Sequence, residues 1–179
     1  MAERLIPKGR VFAAVVPPAE VVVALAERLA GLAIPGKRVP PPNWHVTLRF
    51  VGPVEEVAYE RWLGALDESD LPGPFSITLR GLGAFPRAAR ATVLWVGVES
   101  DPALDDLAHV VDAAADRAGL GREERPFVPH LTIARVRPPE DVRRLIYGQD
   151  GWRLRFAVSE FHIMAAVGSR YQVYESFRL

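Results

Sequence analysis

Apolar and polar residues along the chain recur with two periods, one typical of strands and one typical of helices. Apolar runs rich in β-forming residues predict strands over residues 10–16, 44–52, 75–85, 91–98, 130–136, 154–164 and 171–179. Apolar residues at helical spacing predict helices over residues 18–32, 54–69, 101–120 and 138–148. The third helix should begin with Asp101 as N-cap and Pro102 in its first turn, and should end near Gly119.

The order of these elements repeats in the two halves of the chain, because in each half a strand, a helix and a pair of strands follow one another. The basic turn 86–90 and the turn that holds Gly168 and Ser169 predict hairpins, which favour antiparallel pairing. The proline-rich segment 33–42 predicts a loop. We therefore predict an α+β fold over residues 1–179: one domain of two pseudo-symmetric lobes, with mainly antiparallel sheets around a central cleft and helices on the outside.

Composition narrows the range of chemistry. The 179 residues are 49% hydrophobic and 25% charged, which is enough apolar material for a core without metals or disulfides. The chain has no cysteine, so thiolate catalysis, disulfides and cysteine-based zinc or iron–sulfur sites are excluded. Its 22 basic residues balance 22 acidic ones, so the molecule as a whole should not attract nucleic acid. Any basic cleft must come from an uneven distribution of these charges.

The amino-terminal segment does not have the pattern of a signal peptide, because its apolar run is short and closes on Pro17 and Pro18. No segment approaches the roughly 20 consecutive apolar residues that span a bilayer. We expect a cytoplasmic protein that does not associate with membranes.

One motif occurs twice, as His45-Val-Thr-Leu and as His130-Leu-Thr-Ile, each with a proline shortly before it. With four histidines and four threonines in the chain, random placement would produce roughly 0.1 His-x-Thr pairs. Alternate residues of a strand share a face, so His45 and Thr47 should point the same way, and so should His130 and Thr132. If the lobes are related by a pseudo-two-fold axis, both faces line one cleft.

Two histidines in one cleft are the equipment for paired acid–base chemistry, since near neutral pH one ring can accept a proton while the other donates one. Threonine hydroxyls can donate hydrogen bonds to an oxyanion between them. The combination suits phosphoryl transfer with in-line attack, without a metal or a covalent intermediate. The alternative is a pair of unrelated strand histidines with local hydrogen bonds. A metal site is not expected, because no third carboxylate or cysteine ligand accompanies the two histidines.

Other polar and aromatic residues are weaker candidates. By alternation Arg49 shares the face of His45 and is a candidate phosphate contact. The remaining candidates are expected to be structural or solvated. For the arginines of the turn 86–90 the alternative is contact with RNA. For the aromatic residues that precede the motif histidines the alternative is stacking on a base. These remaining candidates are His109, His162, Arg87, Arg90, Trp44 and Phe127.

The two motifs and their flanks resemble the 2H phosphoesterase superfamily, and within it the RNA 2′,3′-cyclic phosphodiesterases, also called 2′-5′ RNA ligases. The matching segments, in the expected order, are RVFAAVVPP, NWHVTLRFVG, GLGAFPRAARATVLWVGV, RPFVPHLTIAR and RYQVYESFRL. In one departure, FHIMAAVGSRY lacks the Glu-Ser usually found after the strand leucine or methionine.

The resemblance implies that the paired catalytic histidines are His45 and His130, and that the paired hydroxyls are Thr47 and Thr132. It also implies a substrate-binding arginine at Arg135. Strict alternation would put Arg135 on the face opposite His130, so a bulge or a strand end is needed to bring it to the cleft.

The resemblance further implies hydrolysis of RNA 2′,3′-cyclic phosphate ends to a 2′-phosphate, without a metal or other cofactor. His45 would protonate the departing ribose oxygen and His130 would activate water. Reversal would join RNA ends in a 2′-5′ linkage without ATP. The expected partners are RNA ends or nucleotides with a 2′,3′-cyclic phosphate, and we expect a monomer. Alternatives are a phosphodiesterase of a cyclic dinucleotide, an ADP-ribose cyclic phosphate or a 2′-5′ oligoadenylate, and a non-catalytic RNA- or nucleotide-binding module.

Overall fold

A computed structural model of the chain describes residues 5–99 and 101–179. Residues 1–4 lie outside the described residues. They belong to the amino-terminal segment that was predicted not to be a signal peptide. The helices are α1 (Ala19–Ala30), α2 (Glu56–Asp67), α3 (Pro102–Arg117) and α4 (Arg143–Ile146). The strands are β1 (Val11–Val15), β2 (Lys37–Arg38), β3 (Val46–Gly52), β4 (Phe75–Phe85), β5 (Ala91–Val98), β6 (His130–Glu140), β7 (Leu154–Val158), β8 (Glu160–Val167) and β9 (Arg170–Arg178).

The nine strands form one sheet in the order β7-β4-β5-β6-β3-β1-β8-β9, and the short β2 pairs with β6. Every strand pairing among the described residues is antiparallel. The α+β fold with antiparallel pairing is therefore confirmed, whereas the division into two lobes stays a prediction. The two strands that carry the motifs, β3 and β6, are neighbours joined at the pair Val46–Leu131.

The two faces of the sheet have different environments. The main core includes residues from α1, α2 and α3 and from one face of the strands, and its fully buried side chains include Tyr59, Trp62 and Phe161. Phe12, Ala14 and Met164 form a separate small cluster. Since these residues alternate in β1 and β8 with main-core residues, the small cluster lies on the opposite face. No helix among the described residues is long and apolar enough to cross a membrane.

Several local predictions are confirmed. The Asp101 side chain caps α3 by accepting a hydrogen bond from the Ala103 amide at 2.8 Å, and Pro102 is the first helical residue. Gly119 follows the helix in the left-handed region, with φ at +85°. The predicted hairpin of β4 and β5 is also present. These features follow from short stretches of sequence, because capping and turn preferences are local.

The predicted strand 154–164 is wrong, since β7 and β8 are two strands separated only by Ser159. Strand β7 pairs with β4 at one end of the sheet, and β8 pairs with β1 near the other end. One residue spans only a few ångströms, roughly 3.3–3.6 Å when extended. The sheet must therefore curl and twist until these two strands approach each other.

The predicted helix 138–148 is also wrong over its first half. Residues 138–140 continue β6, in which Glu140 pairs with Ala91. Consecutive prolines at 138 and 139 favour extended backbone in the residues before them. The backbone amide of Val142 then donates to the Ala88 carbonyl at 2.8 Å, and helix α4 is limited to one turn.

Candidate active site

The two motif histidines make the same local contact. Nδ1 of His45 lies 2.8 Å from the carbonyl oxygen of Asn43, and Nδ1 of His130 lies 2.6 Å from that of Val128. A carbonyl oxygen can only accept, so in each ring Nδ1 carries the hydrogen and donates it. In the neutral ring Nε2 is then left with a free lone pair. The predicted strand 44–52 begins only at Val46, so His45 lies just before β3 while His130 is the first residue of β6.

A bulge in β6 decides which residues of the second motif share a face. On β5, the pairing partners of His130, Thr132 and Arg135 are the alternate residues Gly97, Trp95 and Val93. The pairing skips Ile133, between the pairs Trp95–Thr132 and Leu94–Ala134. Because directly opposed residues of antiparallel strands point to the same face, this bulge places Arg135 on the face of His130 and Thr132.

A corresponding bulge in β3 has the opposite consequence for Arg49. Thr47 pairs with Ala14 and Arg49 with the adjacent Ala13, so Leu48 is skipped. Neighbouring residues of β1 point to opposite faces, and Arg49 therefore faces away from Thr47. The prediction that Arg49 shares the face of Thr47 is wrong.

Arg49 instead joins β3 to α3 and to the segment that follows α3. Its guanidinium is 8% exposed and lies 2.8 Å from Asp112 and 3.6 Å from Glu123 in ion pairs. It also donates at 2.9 Å to the carbonyl oxygens of Phe50 and Gly121. The first-motif strand is thereby tied to the segment that leads to His130.

We expect Arg49→Met to lower the free energy of unfolding by about 2–4 kcal/mol, because it leaves the partly buried Asp112 without its cation, whereas Glu123 keeps its ion pair with Arg125. Denaturant unfolding measures this. Arg61→Met, at an exposed position of α2, should leave stability within about 0.5 kcal/mol. Unchanged stability combined with a raised KM would instead mean that Arg49 binds the substrate phosphate.

Aromatic side chains surround both histidines. The His45 ring stacks on Phe12 with centroids 4.7 Å apart and meets the edge of Tyr171 at 5.1 Å. The His130 ring meets Phe85 edge-on at 4.9 Å and lies 5.9 Å from Trp95. These four residues were not among the predicted site residues, since their contacts depend on pairing between distant strands. These aromatic contacts restrict the orientation of both imidazole rings, which remain partly exposed.

Trp95 can lie beneath His130 because its cross-strand partner is Gly83. A Cβ atom at Gly83 would collide with the Trp95 indole. The glycine-rich pattern of β4 was therefore a signal for a close approach, although it did not identify the partner.

Asn43 connects the loop before His45 to the hairpin of β8 and β9. Its Nδ2 donates to the Ser169 carbonyl at 2.8 Å, and its Oδ1 accepts from the Tyr171 amide at 3.3 Å. The same residue supplies the carbonyl that accepts from His45. Asn43 therefore links the orientation of His45 to the position of the Tyr171 ring.

Burial is the main cause that lowers the pKa of both histidines. At His45 the charges of His130 and Arg135 lower the pKa further, whereas the hydrogen bond to Asn43 opposes the shift. At His130 the charge of Arg135 adds to burial, and the hydrogen bond to Val128 opposes it. The two rings and the Arg135 guanidinium are thus close enough to affect one another, and burial favours the neutral form of each ring.

Of the other candidates, Trp44 and His109 lie apart from this cluster, whereas His162 is on the same face of the sheet as Thr47, because both pair with Ala14. Trp44 is buried in the main core and donates to the Val39 carbonyl at 3.0 Å, as expected of a packing residue. His109 is exposed on α3, with Nδ1 2.7 Å from the Asp105 carbonyl. His162 pairs with Ala14, and its Nδ1 lies 2.8 Å from the Ser176 hydroxyl.

The remaining aromatic and basic candidates are also outside the cluster. Phe127 is partly buried and packs against the main core. Arg87 and Arg90 are exposed in the turn between β4 and β5. Within residues 5–99 and 101–179, no group of three histidine, aspartate or glutamate side chains could hold a metal ion.

Comparison with known proteins identifies the family of the chain. A family model described as the 2′-5′ RNA ligase superfamily matches residues 17–170. The RNA 2′,3′-cyclic phosphodiesterase of Aquifex aeolicus is 33% identical over 170 residues, covering 87% of this chain and 89% of the relative. The relative of the same name from Aeropyrum pernix is 38% identical over 124 residues, covering 68% of this chain and 69% of its own length.

A solved structure is similar over nearly its whole length. Escherichia coli LigT complexed with 3′-AMP superposes with a TM-score of 0.78 at 27% identity. The match covers 97% of this chain and 99% of LigT.

Proposed function

The chain belongs to the 2′-5′ RNA ligase superfamily, and on the basis of its two-histidine cleft we propose that it hydrolyses RNA 2′,3′-cyclic phosphate ends to 2′-phosphates without a metal. It is a hydrolase of the RNA 2′,3′-cyclic phosphodiesterase type. The observation that carries the proposal is the matched pair of rings, each with Nδ1 donating to a main-chain carbonyl and Nε2 free. The relatives named RNA 2′,3′-cyclic phosphodiesterase support the same activity.

The reaction needs one proton acceptor and one proton donor on opposite sides of the phosphorus. Nε2 of His130 takes a proton from water as the water oxygen bonds to phosphorus. The bond from phosphorus to the ribose 3′ oxygen breaks, and protonated Nε2 of His45 gives its proton to that oxygen. The product carries a 3′-hydroxyl and a 2′-phosphate. Thr47 and Thr132 donate to the non-bridging oxygens, and Arg135 compensates their charge.

The superfamily's ligase name favours a second reaction at the same site. If the 5′-hydroxyl of another RNA replaces water as the attacking group, the same bond to the 3′ oxygen breaks and a 2′-5′ linkage forms. The cyclic phosphate itself supplies the reactive bond, so no ATP is consumed.

The test is hydrolysis of a 2′,3′-cyclic nucleotide and of an RNA ending in 2′,3′-cyclic phosphate, with excess chelator present. We expect turnover with the 2′-phosphate as product, identified by chromatography against both monophosphate isomers. Loss of activity on chelation and recovery with added metal would overturn the metal-free mechanism. Faster turnover of a cyclic dinucleotide, an ADP-ribose cyclic phosphate or a 2′-5′ oligoadenylate would identify that compound, and not the RNA end, as the substrate. Binding without turnover would make the chain a binding module.

The pH dependence of kcat/KM should be bell-shaped, because one histidine must be neutral and the other charged. Burial lowers both pKa values, so both limbs and the maximum should lie below the ordinary histidine value of 6.5. Arg135→Gln removes a charge that lowers both values, so both limbs should move to higher pH. Steady-state kinetics across the acid and neutral range measure these shifts. A profile that does not vary with pH would eliminate the two-histidine mechanism.

Thr47→Val and Thr132→Val should each lower kcat by up to about 10²-fold, since the change keeps the shape but removes a donor to the developing oxyanion. Thr78→Val, in β4 away from the cleft cluster, is the matched control. A change confined to KM would mean that the hydroxyls bind only the ground-state phosphate.

A further inference from the structure

Lys37 and Arg135 are direct cross-strand partners where β2 pairs with β6. Opposed residues of an antiparallel pair point to the same face. Arg135 shares its face with His130 and Thr132, so Lys37 is also directed to the side of the cleft. The next residue, Arg38, has the opposite direction and donates to the Leu32 carbonyl at 2.7 Å.

Gly36 permits this close pairing. Its φ is +74°, in the region that favours glycine, and a Cβ atom there would collide with the backbone of Arg135 and Val136. The segment 33–42, predicted as a loop, contains strand β2 and can therefore approach β6 at the position of Arg135, which brings Lys37 alongside it.

Two like charges directly opposite each other are destabilising. Both side chains are exposed, and neither makes an ion pair with an acidic residue in the described part of the chain. Other arginines do have such partners: Arg122 with Asp116, and Arg143 with Asp141. An anion between Lys37 and Arg135 would turn this repulsion into a binding contribution.

The first motif offers no corresponding charge. The residue five positions after His45 is Phe50, as Arg135 is five positions after His130. Phe50 pairs with Phe12 across the strands. The positive charge of Lys37 and Arg135 is therefore on the His130 side of the cleft. A substrate with more than one phosphate would place its second phosphate on that side.

We propose that Lys37 and Arg135 form a subsite for a second phosphate group, the phosphodiester on the 5′ side of the nucleotide that carries the cyclic phosphate. The Arg135 guanidinium, with its five N–H donors, is shared between this phosphodiester and the cyclic phosphate, whereas Lys37 contacts the phosphodiester alone. The subsite rests on the proposed function and narrows its substrate class. A cyclic phosphate carries one negative charge, whereas the cleft presents two cations beside its histidines. The preferred substrate is thus an RNA end of at least two nucleotides.

The experiment compares kcat/KM for 2′,3′-cyclic AMP with that for an adenosine dinucleotide ending in 2′,3′-cyclic phosphate. The wild-type protein should favour the dinucleotide. Lys37→Gln should reduce that preference roughly tenfold, mainly through KM, because it removes one phosphate contact. Lys37→Arg should retain the preference. Arg61→Gln removes an equal charge from an exposed position of α2 and should leave both rates unchanged.

Salt dependence gives a second readout. In the Lys37→Gln variant the slope of log(kcat/KM) against log[salt] for the dinucleotide should decrease in magnitude by about 0.7. Equal losses on both substrates, or an unchanged preference, would overturn the subsite. Equal wild-type rates on both substrates would overturn the subsite while leaving the proposed function intact. Hydrolysis of neither substrate would overturn both.

Discussion

His45→Ala and His130→Ala should each lower kcat/KM for an RNA 2′,3′-cyclic phosphate by about 10²–10⁴-fold while the protein remains folded. Each ring has its Nδ1 committed to a main-chain carbonyl, so its Nε2 is the atom available to move a proton. Losing either ring removes the acid or the base, whereas the other residues of the cleft continue to bind the phosphate. Initial rates with each purified variant measure the effect.

The control is His109→Ala, since this histidine is exposed on α3 and its Nδ1 lies within hydrogen-bonding distance of the Asp105 carbonyl in its own helix turn. It should retain wild-type turnover. The double variant of His45 and His130 should lose less than the product of the two single losses, because both rings act in one step. Near wild-type turnover in either single variant would remove that residue from the mechanism, and circular dichroism would establish that the variants are folded.

A substrate whose leaving group needs no proton should separate the two histidines. On a nitrophenyl ester of a nucleoside phosphate, we expect His45→Ala to fall within about tenfold of wild type, whereas His130→Ala should remain slower by about 10²–10⁴-fold. Nitrophenolate departs without protonation, so the acid becomes dispensable while water still needs a base. This assignment of acid and base comes from the family resemblance, because both rings make the same kind of backbone contact.

The comparison also has an outcome that reverses the assignment. Rescue of His130→Ala, with His45→Ala still impaired, would make His130 the acid and His45 the base. Rescue of neither variant would mean that both rings also position the phosphate. Thr132→Val is the control for binding, because its hydroxyl is not proposed to transfer a proton and its deficit should persist on the nitrophenyl ester.

The sequence alone was sufficient for the class of fold, and it supplied the candidates on which the proposed chemistry rests. The repeated motif identified His45, Thr47, His130 and Thr132 as candidates, and the strand and helix periods predicted an antiparallel α+β fold. The capping of α3 by Asp101 was also predicted correctly from the sequence. The fold class and the helix cap were predicted correctly because they depend on residue identity and on patterns within one element, which neighbouring strands do not change.

Only the tertiary structure decided which arginine shares a face of the sheet with the motif threonines. Strict alternation favoured Arg49 and opposed Arg135, and one skipped residue in each motif strand reversed both results. The pairing of Lys37 with Arg135 and the contacts of Phe12 and Tyr171 with His45 likewise join segments distant in sequence. A bulge depends on how a strand pairs with its partner, and a one-residue change of register exchanges the faces of every side chain that follows.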